Sequence, residues 1–139
     1  MLDTSFFHRL VWHQDRMMYD EWVFRLQHSI NDSWELGGSC FLFYKTKNLA
    51  DQYSKYLAGV PAFPFNNIME LGIWDGGSAA FWFECLRPAK LVGVDLQNKS
   101  DSPYFLQYLK KRNIQDRLKI YWNTDQADSN RLLEIFDRE

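Results

Sequence analysis

Asn67-Ile68-Met69-Glu70-Leu71-Gly72-Ile73-Trp74-Asp75-Gly76-Gly77-Ser78 is the stretch that decides the fold. An apolar strand pattern over residues 67–72 runs into a glycine-rich turn, and a largely apolar helix pattern over 76–86 begins at once. Glycine has no Cβ, so the chain can take positive φ and a ligand can approach the backbone closely. The start of the following helix offers unpaired N–H groups and the positive end of a dipole to a polar or anionic group.

Downstream the pattern repeats. Residues 90–95 read as a second strand, 103–111 as a helix, 118–122 as a third strand and 128–136 as a final helix. This βαβαβα order predicts an α/β fold: a partial Rossmann-like, doubly wound parallel sheet in strand order 3-2-1 with right-handed crossovers. Strands that are apolar without alternation predict a sheet covered on both faces. Upstream, prolines 61 and 64 and asparagines 66 and 67 break regular structure and divide the chain into 1–66 and 67–139. The N-terminal region is aromatic-rich and mixed. Residues 14–27 suit either a helix or a strand, Gly37-Gly38 reads as a turn, and 40–44 as a short strand. Residues 47–57 read as a helix stopped by Gly59.

The 139 residues carry 16 Lys+Arg against 18 Asp+Glu, a net charge of −2, which offers no cationic excess for a nucleic-acid backbone. Lys110-Lys111-Arg112 reads as the solvated end of a helix, and Asp20-Glu21 as a solvated face. No run approaches the ~18 apolar residues of a membrane span. Cys40 and Cys85 stand alone without a CxxC, which points to a reducing, cytoplasmic setting. His8, His13 and His28 lie in no catalytic or metal-binding spacing, so they read as surface or capping residues. Aromatic residues make up 17% of the chain, and core packing is the simplest use for them.

Two polar positions accompany the turn. Asp95 ends the second strand, placed to accept both hydroxyls of a ribose; capping the next segment is the simpler alternative. Thr124-Asp125-Gln126-Ala127-Asp128 follows the third strand, where Asp125 or Gln126 can hydrogen-bond an adenine edge and Asp128 can cap a helix. A dinucleotide site is disfavoured, because Trp74 stands where GxGxxG has its second glycine. No Gly-Lys-Ser/Thr follows, which excludes a P-loop.

The turn at 70–78, the Gly93-Val94-Asp95 strand end and the Asp125-Gln126-x-Asp128 stretch together resemble class I S-adenosylmethionine-dependent methyltransferases. More narrowly they resemble the macrolide-sugar O-methyltransferases and cephalosporin-hydroxylase-like enzymes. The resemblance implies that Gly72, Ile73, Trp74, Asp75, Gly76, Gly77 and Ser78 hold the methionine part of S-adenosylmethionine. It implies Glu70 at the ammonium, Asp95 at the ribose, and Asp125 with Gln126 beside the adenine. It further implies O-methyl transfer to a small-molecule hydroxyl. A divalent metal and the catalytic groups would lie outside this chain, making it an N-terminal fragment that is inactive alone. Trp74, Asp75 and Thr124 depart from the family pattern. The competing expectation is a non-catalytic nucleoside-binding or self-assembling module. A dehydrogenase-type domain is a weaker third. In either of the first two, the first strand of the sheet is an open edge, so a homo-oligomer through that edge is expected.

Overall fold

A computed structural model describes residues 3–26, 38–61 and 65–139. The protein is mixed α/β, with two sheets among the described residues. The first contains β1 (Val11–His13), β2 (Arg16–Tyr19), β3 (Trp22–Leu26) and β4 (Phe41–Phe43), in that order. Strands β1 to β3 form an antiparallel meander, and β4 adds in parallel to β3. Of the open stretch 14–27, the described residues to 26 form strands β2 and β3 with their turns rather than a helix, and Gln27 lies outside the described residues. Two-residue connections join His13 to Arg16 and Tyr19 to Trp22, with Gln14 and Asp20 each at φ 51°. Such tight turns match strand twist and let the alternation at Trp22, Phe24 and Leu26 face one way into the core.

The second sheet is wholly parallel, with β5 (Asn67–Leu71), β6 (Lys90–Val94) and β7 (Leu118–Tyr121) adjacent in sequence order. The helices are α1 (Ser5–His8), α2 (Lys47–Ala58), α3 (Gly77–Leu86), α4 (Pro103–Arg112) and α5 (Ser129–Arg138). Side chains at their starts account for three of these helices. Thr46 accepts from Leu49 N, Ser102 from Phe105 N ahead of Pro103, and Asp128 from Arg131 N. The short α1 and β1 lay outside the sequence expectation. Gly37 and His28 lie outside the described residues.

Only the middle strand fits the expectation of cover on both faces. Leu91 through Val94 are all buried, whereas Asn67, Met69 and Leu71 of β5 are exposed. The reason is position, since β5 is an edge.

Helix α3 is almost entirely apolar because it lies between the two sheets. Ala79, Ala80 and Phe81 are fully buried, and one core runs from Phe6 and Trp22 through Phe41 and Phe81 to Tyr108 and Leu118. Phe41 meets Tyr104 at 4.9 Å and Tyr108 at 5.5 Å between ring centres, both edge-on. The N-terminal aromatics thus build a shared core. On the far side of the parallel sheet, Ile135 and Leu132 of α5 pack on Val92 and Val94.

The charged runs are also engaged. Arg112 binds Asp20 at 2.8 Å and Glu84 at 2.7 Å, and Lys111 binds Glu21 at 3.0 Å. These pairs tie the end of α4 to the β2–β3 turn, while Lys110, Lys111, Asp20 and Glu21 remain exposed as the sequence reading expects. No helix among the described residues is long and apolar enough to cross a membrane.

Candidate functional site

The carboxyl ends of β5, β6 and β7 form one polar edge, and the glycine turn lies across it. Gly72 takes φ 81° and Gly76 φ 96°, while Trp74 holds φ 65° despite its side chain. Asp95 is what secures this shape. Its Oδ2 accepts from Ile73 N and Trp74 N, both at 2.8 Å, and its Oδ1 accepts from Gln97 N at 2.8 Å. Burial opposes ionisation of this carboxylate, but the three N–H donors and nearby Lys99 outweigh it and hold the carboxyl below its ordinary range.

Asp75 reaches toward β4. Its carboxylate is buried, accepting from Leu42 N at 2.9 Å and Gly77 N at 3.2 Å. It joins the start of α3 to β4, and burial raises its pKa to about 6. The glycines have neighbours that explain them without a ligand. A Cβ on Gly77 would stand closer than 3 Å to the Leu42 carbonyl oxygen, and one on Gly76 would meet the Phe105 ring at 2.9 Å. A Cβ on Gly72 would meet nothing, so its conformation alone calls for glycine. Ile73 is fully buried.

Glu70 points to the α2–α3 side of β5. It is mostly buried, hydrogen-bonded to Ser78 and near Lys45, and burial pushes its pKa to about 7. It lines an apolar groove of about 470 Å³ with Tyr53, Leu57 and Trp82. Asp125 and Gln126 are exposed, and Asp125 Oδ1 accepts from Ala127 N at 2.8 Å, a local turn. The structure therefore brings Gly72, Trp74 and Asp95 together at the strand ends. It places Glu70 and Ser78 on one flank and Asp75 beneath.

Two residues here were not anticipated. The Lys99 ammonium sits 5.4 Å from the Trp74 ring centre and 4.8 Å from that of Trp122, bridging the turn to the end of β7. Burial lowers its pKa, against the pull of Asp75 and Asp95. Trp122 is fixed by donating from Nε1 to Asp101 Oδ1 at 2.8 Å. Leu96, next to Asp95, is 66% exposed, an apolar surface at the polar edge. A cation four positions beyond a strand-ending acid was the only sequence signal for Lys99. Among the described residues no group of three or more His, Cys, Asp or Glu side chains gathers as a metal site would need.

These features define an α/β protein whose parallel sheet carries a glycine turn braced by a strand-ending carboxylate. No family model, curated protein or solved structure matches the chain.

Proposed function

We propose that the polar edge of the parallel sheet binds the nucleoside part of S-adenosylmethionine, and that the chain serves O-methyl transfer to a small-molecule hydroxyl. The observation that carries this reading is Asp95. It stands at the carboxyl end of β6 beside the turn after β5, the place where Rossmann-like sheets hold a ribose. Its Oδ1 accepts a single protein N–H, from Gln97, leaving a lone pair that suits a hydroxyl donor. The exposed Leu96 supplies an apolar platform for an adenine. The methyl group and its leaving thioether would come from the cofactor, while these residues bind and orient it. Lys99 fits less simply, because its ammonium has the same sign as a sulfonium. It therefore favours the neutral thioether product, S-adenosylhomocysteine, over the donor.

Isothermal titration tests the reading. S-adenosylhomocysteine should bind and NAD should not, and Leu96→Glu should weaken binding at least ~10-fold, about 1.4 kcal/mol. No heat from S-adenosylhomocysteine at ~1 mM, or tighter binding of NAD, would overturn it. A second reading, a self-assembling module without chemistry, is favoured by the open edge of β5.

A further inference from the structure

Strand β5 is paired with β6 on one side only, and its other side is open among the described residues. Both faces beside that open edge are apolar. On the α5 face Met69 and Leu71 are 37% and 50% exposed, and Leu133 and Phe136 of α5 are 60% and 69% exposed. A cavity of about 160 Å³ lies between Met69 and Phe136, lined also by Val92 and Ile135, with Lys90 and Glu139 at its rim. On the opposite face, Ile68 borders the larger groove floored by Tyr53 and Trp82. A row of free backbone N–H and C=O groups between two apolar grooves accepts an extended strand, whose alternate side chains would enter the two grooves.

We propose that the occupant is a second copy of this chain, with β5 pairing antiparallel to β5 across a two-fold axis at Met69. The charges favour self-pairing. In this register Met69 faces Met69, Ile68 faces Glu70, and Asn67 faces Leu71, so no charged residue meets its own image. The rim cation and anion, Lys90 and Glu139, already form an ion pair with each other, which leaves the apolar band without net charge. A two-fold axis normal to the sheet keeps both α5 helices on one side. Each Phe136 then has the partner copy's apolar band to cover it. The result is a continuous six-stranded sheet with no exposed β5 edge. This inference does not depend on the cofactor reading.

Sedimentation velocity of the full chain over roughly 1–100 µM should show a dimer, with Met69→Lys weakening it at least ~10-fold while the circular dichroism spectrum is kept. Opposed residues in such a ladder have Cα atoms about 4.5–5.5 Å apart, within reach of a disulfide. Mild oxidation of Met69→Cys should therefore give a covalent dimer, whereas Asp51→Cys and the wild type, with only Cys40 and Cys85, should not. A monomer throughout that range overturns the proposal. A dimer that Met69→Cys fails to cross-link overturns it equally.

Discussion

Replacing Gly77 by alanine sets two effects of opposite sign against each other. Gly77 begins α3, and alanine there would gain up to about 1 kcal/mol of helix propensity. Against this, the new Cβ would lie closer than 3 Å to the Leu42 carbonyl oxygen and 3.2 Å from both the Leu42 carbonyl carbon and the Phe41 Cβ. These are backbone or backbone-fixed atoms of β4, so no rotamer change relieves the contact. Overpacking of this kind costs about 1–3 kcal/mol. Moving β4 away also stretches the 2.9 Å bond from Leu42 N to the buried Asp75 carboxylate, worth about 1.5–3 kcal/mol. The net expectation is a loss of about 2–4 kcal/mol, a fall of roughly 6–16 °C in melting temperature. Urea unfolding followed by circular dichroism should show a lower midpoint at unchanged slope. Gly59→Ala is the control, since its Cβ would meet only the Tyr56 carbonyl oxygen at an ordinary 3.5 Å. If Gly77→Ala were within ~0.5 kcal/mol of wild type, the close approach of β4 to α3 would be refuted.

Asp95→Ala removes the acceptor for three backbone N–H groups and should cost about 3–5 kcal/mol, measured by the same unfolding; Asp95→Asn keeps an acceptor oxygen and should cost less. For pH, the fold favours the neutral forms of Glu70, raised from 4.5 to about 7, and Asp75, raised from 3.8 to about 6. Their contribution is fully present below the unfolded values and is lost as pH rises through 6 and 7. Asp95 and Asp20 have the opposite sign: held below 3.8, they contribute stability that disappears on strong acidification. Melting temperature should therefore peak near about pH 4, decline as pH rises to about 7 and level off above it. Glu70→Gln should flatten that decline, and an undiminished decline would remove Glu70 as its source.

The parallel half of the fold was legible because its signals are local. Apolar runs and Asp128 mark ends within a few residues of the elements they bound, as Gly59 does for α2 upstream. The β1–β3 meander was less legible, because its turns use Gln14 and Asp20 in left-handed conformations rather than glycine. At the site, the sequence singled out the glycines and Asp95 but assigned them to a ligand. For Gly77 and Gly76 the nearest physical causes lie in Leu42 and Phe105, distant in sequence and visible only in the packed fold. The same holds for Asp75, whose partner Leu42 is 33 positions away.

The burial of Trp22 has a consequence for how the chain is made. Its ring packs on Tyr104 at 5.5 Å and Tyr108 at 5.0 Å, and Val23 N donates to Tyr104 Oη at 3.0 Å across 81 positions. A ribosome adding about 5–20 residues per second needs roughly 4–16 s to supply α4 after releasing the β2–β3 hairpin. Throughout that interval the hairpin's aromatic face has no α4 to cover it. The nascent chain thus presents a sticky surface well before the parallel sheet exists, and this part of the core can close only after α4 has been translated.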